Sequence, residues 1–198
     1  MRMAGLSDIL GVRRGITALI GSGGKTTAMY LLAEELSRRG TVICTTSTHI
    51  LPPPHIPVLL DPDPSAAAAL LAKHGPVCLG SPGPDGKLSA PSLPPETLAA
   101  LADYVLLEAD GSRQLPCKAH LPSEPVIPPE TDQRVLLVGA SGLGQPVYRA
   151  AHRPEVFCRL SGLEMGDPIT PEALAEVIRR EALSDKVFIN QAEDSRAL

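Results

Sequence analysis

An apolar run that stops at four small residues and a lysine constrains this chain more than any other feature. Residues 16–20, Ile-Thr-Ala-Leu-Ile, read as a short buried strand. Gly21-Ser22-Gly23-Gly24 break it. Lys25-Thr26-Thr27 then open a stretch in which Met29, Leu32, Ala33 and Leu36 recur at helical spacing, so a helix is expected over Thr26–Arg39 with Gly40 as its C-terminal cap. A glycine-rich turn between a buried strand and a helix is the setting a phosphate-binding P-loop requires.

The chemistry follows from residue type. Phosphate oxygens need several donors converging on one point. Glycines let the backbone curl until its N–H groups face inward, with no Cβ in the way. The helix start adds roughly half a positive charge. Gly21, Ser22, Gly23 and Gly24 would supply backbone donors. Lys25 would reach the β- and γ-phosphates, Thr26 would place its hydroxyl on Mg²⁺, and Thr27 would touch the α-phosphate region. The common spacing GxxxxGK[ST] puts a glycine at position 19, where this chain has Leu19. The loop instead reads GxxGKTT from Gly21, a shorter pattern that resembles the ATP loop of the Mur ligases.

Further strands are expected at Thr41–Thr46, Val58–Leu60, Pro76–Leu79, Asp103–Ala109, Arg134–Gly139 and Lys186–Asn190. Asp103–Ala109 is the clearest, a nearly continuous apolar run with an acid near its end, as buried parallel strands have. Helices are expected at Ala66–Lys73 with Ser65 near the start, at Glu96–Ala102, and at Pro171–Glu181 with Thr170 as N-cap. Leu51–Pro57, Ser81–Pro95 and residues 113–130 are read as loops, because prolines cluster there. Apolar residues interspersed through 113–130 make that loop ordered. Strands alternating with helices imply α/β architecture: a three-layer, P-loop NTPase-like fold with a mostly parallel central sheet, in a single domain over 1–198.

Composition narrows the function classes. The 198 residues carry a formal charge of −4 and no single-sign run, which argues against a nucleic-acid module. No apolar stretch approaches membrane-spanning length and no secretory leader is recognisable, so a cytoplasmic protein is expected. Cys44, Cys78, Cys117 and Cys158 are far apart and fit reduced, mostly buried thiols better than a zinc site or a disulfide framework. With only five aromatic residues, the core must be built from Leu, Val, Ile and Ala.

A P-loop needs a carboxylate on a neighbouring strand to hold Mg²⁺, directly or through water. Glu108 and Asp110, in Glu108-Ala109-Asp110-Gly111, are both candidates, and the segment also resembles the DxxG switch of GTPases. Thr45-Thr46-Ser47-Thr48-His49 follow the second strand, where open α/β sheets place ligands; they read equally as a polar turn. Asn190-Gln191-Ala192-Glu193 stands where GTPases carry the base-reading NKxD. Asn190 matches, whereas Gln191 and Glu193 depart from it, so the base is ATP's or GTP's without distinction.

Together GSGGKTT at 21–27, TTSTHI at 45–50, EADGS at 108–112, Lys118, EPVIP at 124–128, HRPE at 152–155 and the Asn190 strand end resemble the YqeC family, over roughly residues 15–193. That family is described as accessory to selenium-dependent hydroxylases. The resemblance implies a P-loop NTPase-like fold, a cytoplasmic role in maturing selenium-carrying molybdenum hydroxylases, and those hydroxylases or their cofactor-assembly proteins as partners. It also directs attention to the 110–128 loop, His152 and Arg153. Arg113, Lys118 or Arg153 would supply positive charge to a transferring phosphoryl group or an anionic substrate, and His152 a base or ligand. Lys118 is one of only five lysines. The leading expectation is thus a Mg²⁺-dependent ATP- or GTP-binding protein that hydrolyses its nucleotide. Lys25, Glu108, Asp110 and Arg153 would be its catalytic set, and Thr26, Glu108 and Asp110 its metal set. The alternatives are a ligase or kinase acting on a small metabolite, and a nucleotide-switched docking protein without turnover.

Overall fold

Runs of β-branched and aliphatic residues bounded by Gly and Pro set the strands of this protein, and a computed structural model describes residues 4–192. In chain order the elements are α1 (Leu6–Leu10), β1 (Gly15–Gly21), α2 (Lys25–Leu36), β2 (Val42–Thr46), β3 (His49–Ile50), β4 (Val58–Leu60), α3 (Pro64–Lys73), β5 (Pro76–Pro82), β6 (Leu88–Ser89), α4 (Pro95–Leu101), β7 (Tyr104–Glu108), β8 (Cys117–Lys118), β9 (Gln133–Gly139), α5 (Val147–Ala150), β10 (Ala151–His152), α6 (Pro154–Ser161), α7 (Pro171–Glu181) and β11 (Lys186–Asn190). The chain is α/β and its strands pair mostly in parallel.

Two compact units can be distinguished. The first comprises the residues up to Leu19, Thr26–Ala109 and Val126–Arg134. In it β7 lies between β1 and β2, parallel to both, with Leu19 opposite Glu108 on one side and Thr46 opposite Glu108 on the other. β5 extends the sheet in parallel from β2, β4 pairs with β5, and the antiparallel β6 and β3 continue beyond. All five residues of β7 and of β2 are buried, as parallel strands covered on both faces require. The aliphatic core includes Ile16, Leu19, Met29, Leu32, Leu36, Ile43, Leu79 and Leu106.

The second unit comprises Ile20–Lys25, Asp110–Pro125 and the residues from Val135 onward. Here β11 pairs in parallel with β9, and the short β8 and β10 form a separate parallel pair. Among the described residues Phe157, Ile20, Leu137 and Ile169 are its largest fully buried side chains. Among the described residues no helix is long and apolar enough to cross a membrane.

Local differences from the sequence reading have physical causes. α2 ends at Leu36 rather than Arg39, because Gly40 N–H turns back to the Leu36 carbonyl at 3.1 Å and Ser37 Oγ bonds the Glu34 carbonyl. α3 begins at Pro64 rather than Ala66, because Asp63 caps it: Asp63 Oδ1 accepts from Ala66 N–H at 2.8 Å and Ser65 Oγ donates to the same oxygen. The Ser81–Pro95 loop contains β6, which pairs with the end of β5. α7 starts where expected, with Thr170 Oγ1 accepting from Ala173 N–H.

Candidate functional site

The glycine-rich loop belongs to the second unit from Ile20 to Lys25, and its backbone is built around residues that only glycine suits. Gly23 adopts φ +69° and Gly24 φ +103°. A Cβ on Gly23 would collide with the Gly139 backbone nitrogen, and one on Gly24 would come within 2.8 Å of Asn190 Nδ2. Ser22 fixes the loop from both ends: its N–H donates to the Leu137 carbonyl at 2.9 Å and its hydroxyl to the Pro116 carbonyl at 2.7 Å. Asn190 donates Nδ2–H to the Gly23 carbonyl at 2.8 Å, so this strand-end residue braces the loop. Ser141 Oγ donates to Gln191 Oε1 beside it. Glu193 lies outside the described residues.

Asp110 is the hub. It is almost fully buried, accepts the Gly21 N–H at 3.0 Å, and lies 3.2 Å from Lys25 Nζ and 3.0 Å from Lys118 Nζ. His120 Nε2 sits 2.8 Å from its Oδ2. Burial by itself would push the Asp110 carboxyl up. The His120 hydrogen bond and the Lys25 and Lys118 charges outweigh burial and hold it well below the usual carboxylate range. Lys25 Nζ also donates to the Gly21 carbonyl at 2.7 Å, which folds the lysine over its own loop.

His120 extends the network. Its Nδ1 lies 2.8 Å from Glu181 Oε2, and its backbone N–H donates to Glu181 Oε1. An imidazole with a carboxylate on each nitrogen donates through both only when doubly protonated. Burial opposes that charge, but the bonds from Asp110 and Glu181 prevail and raise the His120 pKa. Lys118 is buried and donates to the Gly111 carbonyl while lying 3.3 Å from Glu124 Oε2; Glu124 Oε1 in turn accepts from Arg153 at 2.8 Å. Lys118 is therefore spent inside the protein rather than presented to a ligand.

In the first unit Thr26 Oγ1 donates to Glu108 Oε2 at 2.8 Å, so the hydroxyl and the strand-end carboxylate assigned to a cation stand together. Thr27 is exposed on the first turn of α2. The hydroxyls at the end of β2 and just beyond it tie backbone: Thr45 to the Leu79 carbonyl, Thr46 to the Glu108 carbonyl, and Ser47 to the Val126 carbonyl. His49 Nδ1 meets Ser89 Oγ at 3.0 Å. The polar-turn reading of 45–49 accounts for these bonds. Among the described residues no three His, Cys, Asp or Glu side chains cluster as a metal-binding group.

Sequence reasoning singles out Lys25, Asp110, Lys118 and Arg153 of this network but not His120, Glu124 and Glu181. His120 stands two residues from Lys118, and Glu124 opens the EPVIP segment. Glu181 looked like an ordinary last-turn residue of α7, and nothing in its local sequence marks it.

A model of the YqeC protein family matches residues 17–155. The chain is 34% identical over 175 residues to the uncharacterized protein YqeC of Escherichia coli (strain K12), an alignment covering 83% of this chain and 65% of that protein. No solved structure matches. The family match contains the glycine-rich loop, Glu108, Asp110, Lys118, His120, Glu124 and Arg153, and the chain belongs to the YqeC family.

Proposed function

We propose that this protein binds a nucleoside triphosphate with Mg²⁺ on the loop Gly21–Lys25. The observation that carries the reading is the loop itself: three positive-φ glycines, Gly21, Gly23 and Gly24, packed where a Cβ would collide, ending in a buried lysine. The residues fit such a group. The backbone N–H groups of Gly23, Gly24 and Lys25 and the Lys25 ammonium would hold the phosphates, since the Gly21 and Ser22 N–H groups are taken up by Asp110 and the Leu137 carbonyl. Thr26 and Glu108 would hold Mg²⁺ or its waters. Asp110 is assigned to positioning rather than to the metal, because its oxygens already serve Gly21, Lys25, Lys118 and His120. The bound nucleotide would supply a transferable phosphoryl group. Asn190 would keep the loop in shape, and Lys25 would exchange its contact with the Gly21 carbonyl for phosphate oxygens.

A P-loop NTPase-like fold and hydrolysis of ATP or GTP belong to the same proposal. So does a role in maturing molybdenum hydroxylases, which the family resemblance implies. The test is equilibrium binding of MgATP and MgGTP to the wild-type protein and to Lys25→Ala. Saturable binding of one nucleotide, lost in the variant, supports the reading and names the base. Equal affinity in both proteins refutes the role of Lys25, and no binding of either nucleotide to the wild type refutes the reading. Because Asp110 keeps Lys118 and His120, Lys25→Ala should remain folded, so loss of binding reports on the loop.

A further inference from the structure

The second unit carries a group of charges that the nucleotide reading leaves without a task. Lys118 and His152 are register partners on the parallel pair β8–β10, and Arg153 follows directly. Glu124 bridges the two cations, with one oxygen 3.3 Å from Lys118 and the other 2.8 Å from Arg153.

Arg153 is unusual in three respects. Its backbone is left-handed, φ 62° and ψ 56°, a conformation that raises the energy of a non-glycine residue by roughly 1–2 kcal/mol. Its Nε is buried without a hydrogen-bond partner. Yet its side chain is 35% exposed, so solutes reach the guanidinium. A buried donor left without an acceptor is uncommon and calls for a reason. Beside it His152 is mostly enclosed. Burial, then the charges of Lys118 and Arg153, lower its pKa and favour the neutral ring, which offers one donor and one acceptor. Exposed Arg113 adds further positive charge near that ring.

Glu124 is shared by Lys118 and Arg153, and Lys118 is shared again with Asp110. A carboxylate clamped on a solvent-reachable guanidinium does what an incoming oxyanion would do. We propose that Arg153 and His152 form a binding site for the oxyanion of a small-molecule ligand, a carboxylate or a phosphate group, and that Glu124 occupies the site until the ligand displaces it. The chain of contacts Lys25–Asp110–Lys118–Glu124–Arg153 links this site to the glycine-rich loop, each step 3.3 Å or less. Calling the ligand a co-substrate rests on the nucleotide reading; the binding itself does not. Such a site favours group transfer to a small acid over simple hydrolysis.

The test uses Lys25→Ala, so that anions held by the glycine-rich loop do not enter the signal. Inorganic phosphate and acetate are titrated separately, and the Arg153 Nε–H and His152 ring resonances are followed by NMR. One anion should shift both resonances saturably. Adding Glu124→Gln should tighten that anion about tenfold, which corresponds to roughly 1.4 kcal/mol of relieved competition. Adding Arg153→Gln should abolish the saturable shift, with thermal melting as the check that this variant is folded. Saturation by phosphate alone points to a phosphorylated ligand, and saturation by acetate alone to a carboxylic acid. If neither anion saturates the Glu124→Gln background, or if Glu124→Gln leaves affinity unchanged, the proposal is overturned. Failure of the nucleotide reading looks different: wild-type protein would bind no MgATP or MgGTP while the anion still titrates Arg153.

Discussion

Asp110→Asn is the most informative single change, because it removes a charge and keeps the shape. Asp110 has Lys118 at 3.0 Å, Lys25 at 3.2 Å and the His120 ring at 2.8 Å. At an effective dielectric of 20, a unit-charge pair 3 Å apart attracts by about 5–6 kcal/mol before desolvation is subtracted. Desolvation of buried ions consumes most of that gain while the pair is intact. Once the carboxylate is neutral, Lys118 keeps Glu124 and His120 keeps Glu181, but the buried positive charge has lost its centre. Breaking one member of a buried pair typically destabilises by about 3–5 kcal/mol. In a chain of this size each kcal/mol moves Tm by roughly 2–4 °C, so Asp110→Asn should melt about 6–20 °C below the wild type. The amide oxygen still accepts the Gly21 N–H, so the loop's hydrogen bond is spared and the drop reports on charge. Paired thermal melts at neutral pH provide the measurement. A shift under 2 °C would mean that the charges are solvated in solution and that Asp110 is not the hub described above.

Three further outcomes concern His120, the glycine-rich loop and the cap of α7. The His120 pKa is higher folded than unfolded, so its stabilisation is complete below about pH 6.5 and fades as pH rises through the folded value; denaturant unfolding of His120→Gln across that range should lack the fall seen in the wild type, and parallel curves would refute the imidazolium. Gly23→Ala should destabilise the protein by several times the ordinary helix-interior difference of about 1 kcal/mol, since the new Cβ meets backbone at Gly139; a neutral effect in chemical denaturation would show that the loop can open. Thr170→Ala should lose about 1 kcal/mol by deleting the cap on Ala173 N–H, and an unchanged melt would mean that α7 needs no side-chain cap.

The strands were legible because their signal is local. Val42–Thr46, Tyr104–Glu108 and Lys186–Asn190 are apolar runs between breakers, and each folds as a strand within a residue of its expected bounds. α6 was overlooked although Pro154 at its first position and the left-handed Gly162 after it are recognised helix boundaries. Eight residues carry too few apolar positions for the periodicity to register. The order of strands was not legible, because pairing is a long-range choice. That β7 lies beside β1, and so carries Glu108 to Thr26, emerges only from the folded sheet.

The candidate site divides along the same line. The loop was readable because glycine, lysine and threonine must be contiguous to act together. Asp110 was readable only as one of two acids; the fold separates their tasks, giving Glu108 to Thr26 and Asp110 to Lys25, Lys118 and His120. Glu181 was beyond reach, since its partner His120 is 61 residues away in sequence. A network of this kind leaves each member looking like an ordinary charged residue, and it declares itself only through burial. Burial also explains why the network is more than decoration: a carboxylate this enclosed stays ionised because the His120 hydrogen bond and the Lys25 and Lys118 charges together outweigh burial. Any event that draws Lys25 away from Asp110 must therefore strengthen the demand on His120 and Lys118. The glycine-rich loop, the end of α7 at Glu181 and the Glu124–Arg153 pair are thus tied to one buried charge.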